Sequence, residues 1–280
     1  MCVLKDIAKK IQEEKTSYSY GDKWLYQMCH SKDIKEYDKE ELASIIWLIG
    51  RSYSASPERQ MKLKDDEKNA NVFFKQIAKT TKEFFEEKEL LESAKEQGLI
   101  YSYDSSDSDI EILKKYTKLV LDLNKKYKED DSFQKNGNKE KNENKNKKNM
   151  ISFCSKYLHF FFPGSVFIMD SYSKDGTTRL FHPRVQNKTL EKEIRVKEDT
   201  VKIKDLRDVL KKEREEFDNM KEKILEIDNK KEFSDYIDHV AGCYLLGAYL
   251  KELEGIKISD SKISMPRLVD SLLLKVGEAK

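Results

Sequence analysis

Lys156 and Asp170 are the side chains of this sequence best placed to do chemistry. They are the two formally charged residues between Asn149 and Ser173, in a chain that is 38% charged overall, where average composition would put about nine. The stretch reads MISFCSKYLHFFFPGSVFIMD: an aromatic-rich helical run ended by Pro163-Gly164, a short apolar extended piece, and an acid followed by Ser171. Groups enclosed by apolar side chains are those whose protonation departs most from ordinary behaviour, and so those most apt to react. A neutral lysine amine is a nucleophile, and a carboxylate lowers the energy of a developing positive charge. The fourteen-residue separation leaves room for a helix to run out and the chain to fold back past Pro163-Gly164.

The elements that must hold this stretch are mostly helical. Residues 3–15 suit a short amphipathic helix. KEELASIIWLIGRSYSAS (39–56) opens with an acidic first turn and places Leu42, Ile45, Ile46 and Ile49 at helical spacing, so it reads as a core helix ending near Gly50 or a few residues later. Helical patterns follow at 70–97, with Phe73, Ile77, Phe84 and Phe85, and at 107–129, with Ile110, Leu113, Tyr116, Leu119, Val120 and Leu123. KNGNKEKNENKNKK (135–148) holds six lysines, two glutamates and no apolar residue, and reads as a flexible, mildly basic loop. SKDGTTRLFHPRVQN (173–187) reads as turn-rich, with Phe181-His182-Pro183 arguing against a continuous helix. Residues 188–232 are densely charged with a thin apolar stripe, a pattern that fits a surface hairpin or long helix inserted into the fold. DYIDHVAGCYLLGAYLKELEG (235–255) resumes the core with Gly255 as its C-terminal cap, and a last helix starts at Pro266. Strand content is expected to be low.

Composition narrows the classes. At 280 residues the chain can bury a sizeable core as one large domain or two modest ones. Its 54 basic and 52 acidic residues nearly cancel, so any nucleic-acid or membrane contact must rest on local patches. Cys2, Cys29, Cys154 and Cys243 form no CxxC pair and make no zinc spacing with His30, His159, His182 and His239. They read as reduced thiols, with Cys154 and Cys243 as small core residues. MCVLKDIAKKIQEEK is a charged amphipathic helix start, not a signal peptide, and no apolar run reaches the ~18 residues of a membrane span. A cytoplasmic protein is expected, without metal, organic cofactor or membrane partner. The sequence divides into an N-terminal helical lobe (1–134), the lysine- and asparagine-rich loop (135–148), and a second lobe (149–280) that carries the motif and the charged insertion at about 188–232.

SFCSKYLHFFFPGSVFIMDS (152–171) resembles the SK-x-L-H-F…P…D-S signature of proteins related to the helix-hairpin-helix DNA glycosylases, especially their outlying 8-oxoguanine-glycosylase-like branch. WLIGRSYSASPER (47–59), DYIDHVAGCYLLGAYLKELEG and PRLVDSLLLKVGE are similar to the same group, so most of the chain outside 130–148 and 185–232 is covered. The group's usual Leu-Pro-Gly-Val-Gly hairpin is absent here, and with it the standard phosphate-binding hairpin. The resemblance implies a mainly α, two-lobed glycosylase-like fold with a cleft, DNA as partner, and excision of a modified or damaged base. Lys156 matches the lysine that attacks the sugar C1′, and Asp170 the aspartate that stabilises the developing positive charge. The chemistry agrees with the residue types, since cleaving an N-glycosidic bond creates an oxocarbenium-like sugar. The same lysine would also open the abasic sugar. Oxidised guanine is the group's default base. Hypermodified bases, such as those of phage DNA met in an antiviral role, are an equal reading to DNA repair.

Other residues carry two readings each. Lys156 also fits a snorkelling or structurally paired lysine, and Asp170 an N-cap, which is compatible with catalysis. Phe153, Tyr157 and Phe167 read as core or as walls of a pocket for a flipped base, and His159 as a structural histidine or a proton shuttle. Arg51, Tyr53, Ser54 and Arg59 suit either DNA contacts or a helix-end ion cluster. The alternative function is a non-catalytic helical module that binds nucleic acid or protein, and the charged insertion is a candidate docking or oligomerisation arm.

Overall fold

The computed structural model describes residues 3–13, 17–53, 67–86, 103, 106–130, 150–197, 199–226, 233–253 and 264–279. These residues are mainly helical, with one two-stranded antiparallel sheet. The chain packs as two units that interleave along the sequence. One unit takes Thr16–Gly98 and Leu119–Phe162; the other takes Met1–Lys15, Leu99–Lys118 and Pro163–Lys280. The sequence division at 135–148 therefore differs from the division by packing. The N-terminal helix packs on the C-terminal one, and the aromatic helix before Pro163 packs with the early helices.

The first unit contains α2 (Ser17–Cys29), α3 (Lys39–Ser52), α4 (Glu67–Glu86), the end of α5 (Asp107–Glu129) and α6 (Ile151–Phe161). Asp38 caps α3, accepting from the Glu41 amide at 2.8 Å while the Glu41 carboxylate accepts from the Asp38 amide. This reciprocal box explains why the predicted helix starts at Lys39. Leu42, Ile45, Ile46 and Ile49 are buried as the spacing requires. α6 packs against α2 and α3, with every side chain but Ser152 buried. It has no cap of its own, and Asn124 of α5 accepts from the Met150 amide at 2.8 Å at its start. α4 ends at Glu86 in the described residues; 87–97 of the predicted helix and the 135–148 loop lie outside them. Apolar periodicity does not reveal α2.

The second unit contains α1 (Val3–Glu13), the start of α5, α7 (Ser171–Phe181), α8 (Asn187–Leu190), β1 (Glu193–Val196), β2 (Asp199–Lys202), α9 (Ile203–Val209), α10 (Lys211–Glu215), α11 (Phe217–Leu225), α12 (Ser234–Glu252) and α13 (Met265–Gly277). Its hub is α7, which packs against α13, α12 and α9. The expected turn-rich segment at 173–187 is thus corrected. A helix runs through Phe181 and breaks at His182-Pro183, as the proline demands. Ser, Asp, Gly and Thr are weak helix formers, and tertiary packing overrides them. At Gly176 a Cβ would collide with the Leu273 carbonyl, and at Gly277 with the Tyr172 carbonyl, so α7 and α13 approach backbone to backbone. Gly255, the expected cap of α12, lies outside the described residues.

The charged insertion resolves into a hairpin followed by short helices, with no long helix among the described residues. β1 and β2 pair in register from Glu193 with Lys202 to Val196 with Asp199. Ile194, Val196, Ile203, Leu206, Leu210, Phe217, Met220 and Ile224 are all buried. Arg207 donates to the carbonyls of Arg179 at 2.5 Å, Leu180 at 3.0 Å and His182 at 3.0 Å, closing the C-terminus of α7. The apolar stripe of this segment is therefore part of its unit's core, and only its charged outer face is left for the docking role the sequence suggested.

Candidate active site

Lys156 projects from the middle of α6 and is 4% exposed. Its Nζ donates to the Tyr53 carbonyl at 3.0 Å, at the C-terminal cap of α3. A cation there meets the negative end of the helix dipole and one of its terminal carbonyls. Tyr53 is the centre of the local arrangement. Its hydroxyl donates to the Asp22 carboxylate, and its ring meets Phe160 edge-on at 5.1 Å. Tyr26 of α2 packs on Phe160 at 5.0 Å and shares a 2.7 Å hydrogen bond with His159 Nε2. His30 Nε2 donates to the Phe160 carbonyl at 3.0 Å, since a carbonyl only accepts. Lys156 thus stands in an aromatic surround whose polar groups come from α2 and α3.

Asp170 precedes α7 and is its N-cap. Its Oδ1 accepts from the Ser173 amide at 2.8 Å, and the Asp170 amide donates to Ser173 Oγ at 3.0 Å. The reciprocal pair fixes the carboxylate where the helix N-terminus favours negative charge. The segment leading to it is tied down by His239 of α12. His239 Nε2 donates to the Ile168 carbonyl at 2.7 Å, so Nδ1 accepts from the Thr177 hydroxyl at 2.9 Å. Cys243 Sγ lies 3.4 Å from the same Nε2. Burial pushes the His239 pKa down to about 4, opposed by the Ile168 carbonyl bond and the Asp170 charge, with the Lys174 charge adding to the fall. The ring is a neutral brace at ordinary pH. Burial likewise pushes the Cys154 and Cys243 thiols up, in keeping with small core residues.

Lys156 and Asp170 belong to different units, divided between Phe162 and Pro163. Of the pocket candidates, Phe153, Tyr157 and His159 are 0% exposed and Phe167 2%. Phe153 and Tyr157 stack at 6.0 Å, and the buried Tyr157 hydroxyl has no hydrogen-bond partner among the described residues. Arg51 is exposed and lies over the Trp47 ring, 5.8 Å from its centroid. Tyr53 does stand beside Lys156, through its carbonyl. Ser54 and Arg59 lie outside the described residues. Sequence reasoning missed Asp22, Tyr26 and the His239 brace. Asp22 and Tyr26 stand four apart on the face of α2 that also buries Leu25 and Cys29, so their polar groups are the ones that face the core. Among the described residues no group of three His, Cys, Asp or Glu side chains is placed to hold a metal, and no helix is long and apolar enough to cross a membrane.

In comparison with known proteins, no family model, no curated protein and no solved structure matches the chain.

Proposed function

We propose that the protein is a DNA N-glycosylase that removes a modified or damaged base, with Lys156 as nucleophile and Asp170 as stabiliser of the sugar cation. The observation that carries this reading is Lys156 itself, a lysine held at 4% exposure in the middle of a helix whose other side chains carry no formal charge. Attack on C1′ requires the neutral amine, so Nζ must lose a proton before or during the step. In that step the Nζ lone pair bonds to C1′ while the N-glycosidic bond breaks. Its electron pair leaves with the base, which takes up a proton, and Nζ gives one up. Ring opening then yields an imine that sodium borohydride reduces to a stable adduct. Asp170, oriented by Ser173, supplies the negative charge that offsets the oxocarbenium-like transition state.

A second reading has its own support. The bond from Lys156 to the Tyr53 carbonyl is what a lysine tying α6 to α3 would make. It favours a non-catalytic helical module that binds nucleic acid or protein. An abasic-site assay separates the two, run on duplex and single-stranded DNA with oxidised, alkylated, deaminated and glucosylated bases. Abasic sites that vanish with Asp170→Asn, together with a borohydride-trapped adduct that needs Lys156, support the glycosylase and name its base, and with it a repair or an antiviral role. A folded protein that shifts DNA and forms no abasic site on any of these bases supports the binding module.

A further inference from the structure

A second site lies in the charged insertion. Between the loop after α7 and the pair α9–α10 is a groove of about 310 Å³ whose wall includes Asn187, Lys204, Arg207, Asp208 and Arg214. Three cations face it against one carboxylate. Arg207 commits its guanidinium to the three carbonyls that end α7. Arg214 does not: its Nε is buried and has no hydrogen-bond partner among the described residues. The acid beside it in sequence does not neutralise it. Burial pushes the Glu213 carboxyl up, and its electrostatic neighbours are Lys212 and Glu252. Arg207 in turn is pushed down to about 10, by burial first and then by the charge of Arg214, with Asp208 opposing. Two guanidinium groups therefore repel each other across a groove with a net positive wall.

A buried guanidinium Nε without an acceptor is costly, and native proteins leave few such groups unmatched. Its planar fork matches tetrahedral oxyanions, phosphate above all, through paired N–H···O bonds. We propose that this groove binds a phosphate group through Arg214 and Lys204, with Asn187 as a neutral donor at its edge. Arg207 is the fixed charge behind them, already anchored to the end of α7. The site shares no residue with Lys156, Asp170 or their partners, so it stands whether or not the protein is a glycosylase. Phosphate chemistry has two sources here, a free phosphorylated small molecule and the backbone of DNA.

The test uses the full chain and two probes, pyrophosphate in isothermal titration and a fluorescent DNA duplex in anisotropy at several salt concentrations. Arg214→Ala, Arg214→Gln and Lys204→Ala are compared with Arg195→Ala, which removes an exposed cation from β1 outside the groove. Pyrophosphate binding that weakens about tenfold or more in the groove variants and not in Arg195→Ala supports a free phosphorylated ligand. Absence of pyrophosphate binding, with a DNA salt slope that falls by about 1 in each groove variant, supports backbone phosphate. Should Arg214→Ala not fold, Arg214→Gln and the exposed Lys204→Ala carry the same comparison. Groove variants that bind both probes as the wild type does, or a wild type that binds neither, overturn the proposal. A wild type that binds pyrophosphate in the groove and binds no DNA would count against the glycosylase reading and leave this site standing.

Discussion

Helices α6 and α7 are each eleven residues long and each lies in the core of its own unit, yet they are held by opposite means. α6 is aromatic, buried almost all round, and depends on other helices for its polar needs. Asn124 serves its first amide, and Tyr53, Tyr26 and His30 meet Lys156, His159 and the Phe160 carbonyl. α7 is built from poor helix formers and is held by its ends and by close backbone approach. Asp170 caps one end, Arg207 the other, and Gly176 lets α13 in. Apolar burial thus carries the lysine, and hydrogen bonding carries the carboxylate. Burial and fixed hydrogen-bond donors are two different ways to hold a polar group, and the fold uses one for each of the two residues.

The sharpest way to break this contrast is Gly176→Val. The added side chain meets backbone that cannot rotate away, and stability should fall by about 3 kcal/mol or more in urea denaturation. A loss under about 1 kcal/mol would mean that α7 does not depend on close approach. The His239 brace gives the next largest effect. Its folded pKa of about 4 lies below the ordinary 6.5, so between these values the unfolded chain binds the extra proton. Stability is therefore full above about pH 6.5 and declines as pH falls toward 4. At about 1.4 kcal/mol per pKa unit the loss is roughly 3 kcal/mol. His239→Gln, which can still donate to Ile168, should flatten that part of the pH profile, and an unchanged profile would refute the brace.

Asp170 separates capping from chemistry. Asp170→Ala should lower stability by about 1 kcal/mol, while Asp170→Asn retains a capping side chain and should match the wild type within a few tenths, read by thermal melts. Both should reduce base excision by about 100-fold or more. Excision that survives in Asp170→Asn would assign the residue to capping alone. The smallest effect belongs to α6. Tyr157→Phe removes a buried hydroxyl without a partner among the described residues and should leave stability unchanged or raise it by up to about 1 kcal/mol. A clear loss would reveal a partner for that hydroxyl.

Much of this contrast is legible in the sequence alone. The helix over 107–129 has the bounds its apolar spacing predicts, α3 starts where Asp38 and Glu41 signal it, and α6 ends at the proline. Asp170 is readable as a cap because its partner Ser173 is three residues away. What is not legible depends on distance in sequence. Tyr26 and His159 are 133 residues apart, and His239 and Ile168 are 71 apart. No local pattern announces such pairs. α7 itself is hidden because its residues favour turns, and only the backbone of α13 against Gly176 makes the helix favourable.

Arg207 also bears on how the molecule would meet a protease. Twelve lysines and arginines lie between residues 188 and 226, a density that on paper invites tryptic cutting throughout. Although most of these basic side chains are exposed, Arg207 closes α7 and eight apolar side chains of the same segment are buried, which ties its described helices and strands into a packed unit. Cleavage must then wait for the unit to open, so the rate of nicking in this segment reports on the stability of the core and not on the mobility of a tail.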